Sequence, residues 1–161
     1  MISVCIATYN GERFIRQQIE SIIHQLTLDD EIIISDDAST DSTLDIVRSL
    51  QSPIIHVFTN YGRHGYTPNF ENAIRHAQGD YIFLSDQDDV WQPHKIEICM
   101  RHFKHCDFII SDASLINADN QIMANSFFAL RKSRPGFIAN LVRFSYLGCC
   151  ICLLYTSPSP R

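Results

Sequence analysis

The chain has 161 residues, 45% hydrophobic and 19% charged, the composition of one globular domain large enough for a real core. A formal net charge of −5, with no Lys/Arg tract interleaved with aromatics, excludes nucleic acid or anionic lipid held by charge alone. Six cysteines are too sparse for a disulfide scaffold and read as reduced thiols.

The N-terminal run ISVCIATY (Ile2–Tyr9) predicts a first strand; without a basic region before it or a small-residue cleavage site it does not read as a signal peptide. Phe14, Ile15, Ile19, Ile22, Ile23 and Leu26 then form a helical stripe. EIIISDD (Glu31–Asp37) is a short continuous apolar run, as expected of a strand covered on both faces. A helix follows, with Ser39 or Thr40 as N-cap, Asp41 in its first turn, and Leu44, Val47 and Leu50 turned inward.

IIHVFTN (Ile54–Asn60) predicts a third strand, and the loop YGRHGYT leads to a helix opened by Pro68 and closed by Gly79. YIFLS is the fourth strand. A helix from Pro93 carries Ile96, Cys99, Met100 and Phe103 inward, DFIISDA (Asp107–Ala113) is the fifth strand, and NADNQ is a turn toward a sixth. Strands alternating with helices of this length predict an α/β fold, a mostly parallel sheet with helices on both faces. The longest weakly polar run, Phe144–Tyr155, falls short of the ~20 residues that cross a bilayer, so a cytoplasmic protein able to work beside the membrane is expected.

Ligand sites in such folds lie beyond the carboxyl ends of the strands. Strand one ends in Thr8-Tyr9-Asn10, strand two in Asp36-Asp37, strand four in Asp86-Gln87-Asp88-Asp89 and strand five in Asp112. The polar clusters therefore converge on one edge of the sheet. Crowded carboxylates with few cations suit Mg²⁺ or Mn²⁺, which complete their coordination with water and phosphate oxygens. Asp86 and Asp88 are the expected metal ligands, with Asp89 bracing the turn. Helix capping alone would need only one of the three. Across the sheet, Asp36-Asp37 reads equally well as a capping turn or as an acceptor for the imide N–H of uracil or thymine, with Tyr9 stacking on the base. Cys99, His102 and Cys106 share a helical face, with His105 nearby, but no second ligand pair of zinc-site spacing accompanies them.

SVCIATYNGERFIRQQIESI, DEIIISDDASTDST, the N-x-G-x-x-G of Asn60, Gly62 and Gly65, and GDYIFLSDQDDVW resemble, in order, the motifs of family 2 inverting glycosyltransferases. SDQDDVW, SDA and LGCC are similar to the bacterial rhamnosyltransferase-like branch of surface polysaccharide synthesis. The resemblance implies a Rossmann-like nucleotide-sugar-binding domain of GT-A type. It places Thr8, Tyr9 and Asn10 at the nucleoside, Asp37 at the base, Asp86 near ribose and metal, and Asp88 as principal metal ligand. Asp36, Asp89, Asn60 and Gly62 take supporting roles. It further implies a UDP- or dTDP-sugar donor and a glycan or lipid-linked acceptor.

The family's general base lies beyond the Gly-Cys-Cys region, so residues 1–152 are expected to be an incomplete donor half and 153–161 a non-native Pro/Ser tail. Phe137 to Tyr155 would then expose apolar surface. Asp112 is the remaining candidate for the base, and Arg131, Lys132 and Arg134 read as a solvated basic patch. Two alternatives stand beside the transferase. One is a nucleotide-binding remnant without transfer. The other is a haloacid-dehalogenase-type phosphatase with Asp86 as nucleophile and Asp88 as acid/base. That family carries its Asp-x-Asp motif after the first strand, not the fourth, and needs a later Lys and a further acidic pair.

Overall fold

A computed structural model describes residues 1–133 and 147–155. Arg134, residues 137–146 and the tail 156–161 lie outside the described residues. Four strands alternate with helices: β1 (Ile2–Thr8), α1 (Ile15–Ile23), β2 (Glu31–Asp36), α2 (Thr43–Ser49), β3 (Ile55–Thr59), α3 (Tyr66–His76), β4 (Tyr81–Asp86) and α4 (Lys95–His102). Then come β5 (Phe108–Ile110), β6 (Leu115–Ile116), β7 (Ile122–Ala124), α5 (Phe127–Arg131), a 3₁₀ turn (Gly148–Cys150) and β8 (Ile151–Leu154).

The main sheet has the order β3-β2-β1-β4-β8-β5. β1 pairs in parallel with both β2 and β4, and β2 with β3. Alternation of side chains along these strands builds two cores. Val4, Ile6, Ile32, Ile34 and Phe83 face α1, α2 and α4 through Ile15, Ile19, Ile22, Val47 and Ile96. Cys5, Ile33 and Ile82 face Ala73 of α3 on the other side. Each fully buried Ile contributes about 1.5–3 kcal/mol of apolar burial, and cutting Ile6 or Ile33 to Ala would cost about 2–5 kcal/mol.

Three local expectations change. α2 begins at Thr43 rather than after Ser39, because Asp41 accepts from the Thr43 N–H (3.0 Å) and hydroxyl (2.5 Å) while Ser39 is drawn back onto Asp36. The turn NADNQ does lead to a strand, β7, which pairs with β6 in a two-stranded sheet separate from the main one. The main sheet takes β8 instead, antiparallel between β4 and β5, with Cys152 opposite both Phe83 and Ile109. Leu153 and Leu154, at the start of the stretch expected to be foreign, belong to β8.

Candidate active site

Strand order reverses at β1: the chain runs outward through β2 and β3, then returns to place β4 on β1's other side. The crevice beyond the carboxyl ends of β1 and β4 is the site this topology creates. Register brings the ends level, with Thr8 opposite Asp36 and Ala7 opposite Asp86. An open cavity of about 410 Å³ lies there, and Thr8, Tyr9, Asp37, Asp86 and Asp88 all line it. Gly65, Tyr66, Asn69 and Gln87, which sequence reasoning did not nominate, complete much of its wall.

At one end, Asp37 is buried and held by three groups of the loop after β3. Its carboxylate accepts from Asn60 Nδ2 (2.8 Å) and the Gly65 N–H (2.8 Å), and His64 Nδ1 lies 3.0 Å away. These hydrogen bonds and the His64 charge outweigh burial and hold the carboxyl below its usual range. The N-x-G-x-x-G spacing thereby acquires a reason. Asn60 accepts from the Gly62 N–H (3.1 Å) and closes the turn, while Gly65, at φ +118, adopts a backbone that L side chains resist. A carboxylate has about four acceptor positions, so Asp37 retains one for a ligand donor.

The opposite end is built of unsatisfied charge. One oxygen each of Asp86 and Asp89 and the Cys149 thiol lie within 4.8 Å of one another. Burial, then the charges of Asp89 and Asp88, push the Asp86 carboxyl up to about 6, against hydrogen bonds from Cys149 and Tyr66 that favour its charged form. Asp89 is also raised, by burial first, although Cys149 and the Asp86 N–H donate to it and Lys95 lies near. Asp88 stands outside that triangle. It lines the 410 Å³ cavity and also a second one, of about 590 Å³, bounded by Asp89, Trp91 and Asp112. A surplus of hard oxygen donors with one nearby thiol fits a divalent cation, which would relieve the repulsion that raises Asp86.

Between the ends, Gln87 clamps Tyr9: its Oε1 accepts from the Tyr9 N–H (2.9 Å) and its Nε2 donates to the Tyr9 carbonyl (3.0 Å). A Cβ on Gly11 would lie 2.3 Å from Gln87 Oε1, so the Asn-Gly after Tyr9 leaves room for that clamp. The Tyr9 ring stays exposed at the cavity edge. Asn69 donates to the Thr8 carbonyl (3.0 Å) and accepts from Ser35 (2.6 Å), tying α3 to both strand ends.

Asn10, Asp36 and Asp112 do not line the 410 Å³ cavity. Asn10 points to the loop between β2 and α2, where its Oδ1 accepts from the Thr40 N–H (2.8 Å). Asp36 accepts from Thr8 Oγ1 (3.0 Å) and from Ser39 (N–H 2.9 Å, hydroxyl 2.5 Å), which makes it the anchor of the β2–α2 turn. Asp112 accepts from Ser126 (2.5 Å) and from the N–H groups of Ala113 (2.8 Å) and Phe128 (2.9 Å), which hold its carboxyl below the usual range against burial. A carboxylate so held is a weak base. The Cys99–Cys106 grouping forms no metal-ligand cluster among the described residues; Cys99 instead meets Cys152, sulfur to sulfur at 4.0 Å.

A family model for glycosyl transferase family 2 matches residues 3–152. The chain belongs to glycosyltransferase family 2. This family 2 domain is 42% identical over 99 residues to the dTDP-rhamnosyl transferase RfbG of Shigella flexneri, covering 57% of this chain and 34% of that protein. It is 28% identical over 134 residues to the UDP-Glc:alpha-D-GlcNAc-diphosphoundecaprenol beta-1,3-glucosyltransferase WfgD of Escherichia coli, covering 82% of this chain and 52% of that one. Among solved structures it is similar to TarS of S. aureus in complex with UDP-GlcNAc, with a TM-score of 0.60 and 25% identity over 68% of this chain and 33% of that one. The fold is thus the GT-A Rossmann-like one, and the chain matches a third to a half of these relatives' length. Family membership removes the ground for the phosphatase alternative, whose Asp-x-Asp string here follows β4, inside the matched span. No helix among the described residues is long and apolar enough to cross a membrane.

Proposed function

We propose that this domain holds the nucleoside diphosphate of a UDP- or dTDP-sugar together with Mg²⁺ or Mn²⁺. The whole protein then transfers the sugar, with inversion, to a hydroxyl of a glycan or lipid-linked acceptor in bacterial surface polysaccharide synthesis. One observation carries the reading: a single cavity has a satisfied carboxylate with one free acceptor position at one end and a repelling carboxylate cluster at the other. A nucleoside diphosphate has the matching polarity, an imide N–H at its base and oxyanions at its far end. The names of RfbG and WfgD, and the UDP-GlcNAc held by TarS, support the donor class.

Asp37 accepts the base N–H, and the Tyr9 ring, on a backbone held by the Gln87 clamp, stacks on the base. Asp88 and Asp86 hold the cation, with Asp89 bracing the turn beneath them. The cation, when bound, neutralises the diphosphate leaving group. Asp88, at the junction of the two cavities, marks where donor meets acceptor, and the 590 Å³ cavity offers space on the acceptor's side. Transfer in one displacement requires the acceptor hydroxyl to lose its proton to a base as it attacks the anomeric carbon. Asp112, tied down by three donors, does not serve. A lipid-linked acceptor would bring the domain to the inner face of the plasma membrane.

Calorimetric titration of UDP and dTDP, with Mn²⁺ and then with EDTA, tests this. Metal-dependent binding that is lost in Asp88→Ala is the expected result, and the preferred nucleotide narrows the sugar. A folded chain that binds neither nucleotide would overturn the donor-site assignment.

A further inference from the structure

Tyr66 opens α3 and sits between the two ends of the cavity. The residue before it, Gly65, is bound to Asp37 through its N–H (2.8 Å), and the Tyr66 hydroxyl donates a hydrogen bond to Asp86. Its ring is set edge-on against the buried Phe70, centroid to centroid 5.0 Å at 74°. The hydroxyl end is therefore fixed although the residue is half-exposed.

The far wall of this pocket explains a glycine. A Cβ on Gly148 would lie 2.7 Å from the Tyr66 hydroxyl oxygen. Gly148 is not in the left-handed region, so space, and not backbone freedom, calls for it. Its neighbour Cys149 presents its thiol to Asp86 and Asp89 from the same turn. One short 3₁₀ turn, distant in sequence from the aspartates, thus admits one donor to Asp86 and delivers another.

We infer that Tyr66 is a positioning residue for the cation site: its hydroxyl, seated in the space left by Gly148, fixes Asp86 in the orientation that receives the metal. The inference rests on the donor-site reading above. It adds a consequence, since Gly65 and Tyr66 are adjacent and join the carboxylate of the base end to that of the cation end. Partners that orient a metal-binding carboxylate typically govern affinity by ten- to a hundredfold.

The test is Mn²⁺ binding to the full chain, by calorimetry and by the paramagnetic resonance of free Mn²⁺, with and without UDP, alongside thermal melting without metal. Tyr66→Phe keeps the ring and its packing, so the fold should persist while Mn²⁺ affinity falls on the order of tenfold. Gly148→Ala should weaken Mn²⁺ similarly, and the double variant should be no weaker than either single, because both act through one hydroxyl. Unchanged Mn²⁺ affinity in Tyr66→Phe, or strictly additive losses in the pair, would overturn the positioning role. Mn²⁺ uptake weakened by Tyr66→Phe but indifferent to UDP would uphold it and sink the donor reading instead. A folded wild type that takes up neither Mn²⁺ nor UDP overturns both.

Discussion

The carboxylate clusters at the ends of β2 and β4 reach the same cavity, through Asp37 and through Asp86 and Asp88, from opposite electrostatic states. Asp36 and Asp37 have donors arranged around them, and Asp37 is held below its ordinary range. Asp86 and Asp89 face each other and Asp88 with a thiol, a phenol and one backbone N–H between them, and both are raised. The first set is complete as protein structure. The second is left crowded, with both carboxyls raised. The contrast teaches that burial alone does not set a carboxylate's state; the donors and charges around it do.

The largest expected effect comes from breaking the complete end. Asp37→Ala removes the acceptor of the Gly65 N–H and one of the two acceptors of Asn60 Nδ2, and should cost about 3 kcal/mol in chemical denaturation. An effect below about 1 kcal/mol would mean the loop is not held as described.

The incomplete end should respond with the opposite sign. Without metal, the folded state keeps the Asp86 proton up to about pH 6, whereas the unfolded chain releases it near its ordinary 3.8. Stability should therefore decline as pH rises between these values, by about 2 kcal/mol after discounting for partial exposure. Asp86→Asn should abolish that slope and stabilise the metal-free chain at pH 7, while added Mn²⁺ should stabilise only the wild type. Asp37 acts in another window: its contribution is present above the ordinary carboxylate range and is lost as pH falls through its lowered value. Melting curves against pH, with and without Mn²⁺, separate the two.

Smaller effects sharpen the boundary. Gly65→Ala forces a side chain into φ +118 and should cost about 1–3 kcal/mol, with nucleotide affinity falling alongside as the Asp37 clamp loosens. Asn10→Ala loses its bond to Thr40 and a residue suited to φ 48, about 1 kcal/mol, yet should leave UDP affinity within about twofold because Asn10 does not line the cavity. A large loss of binding in Asn10→Ala would move the nucleoside toward α2.

Much of this was written locally. Apolar runs of four to seven residues between amphipathic stretches determine parallel strands joined by helices, and parallel strands carry their carboxyl ends to one edge by construction. Thr8, Asp37, Asp86 and Asp88 could be placed on one rim from the sequence because each follows directly on a strand. What a strand-end residue does there was not legible. Asp36 and Asp37 are adjacent and identical in type, yet one anchors a turn and the other lines the cavity, a choice made by Ser39, Asn60 and Gly65 arriving from three different segments. Asn10 follows a strand end as Tyr9 does but turns to Thr40, and Asp89, which accepts from the Asp86 N–H as a brace would, also shares a cluster with Asp86.

Only the tertiary structure decided the rest. β8 inserts antiparallel between β4 and β5, a pairing between distant segments for which no local periodicity exists. That insertion carries Gly148 and Cys149 to Asp86, and with them the contact to Tyr66. Sequence alone determined which elements form and which edge is polar, since propensity and hydrophobic period act between near neighbours. Which carboxylates are compensated and which are left crowded depends on donors brought from far along the chain, and only the packed fold sets those distances.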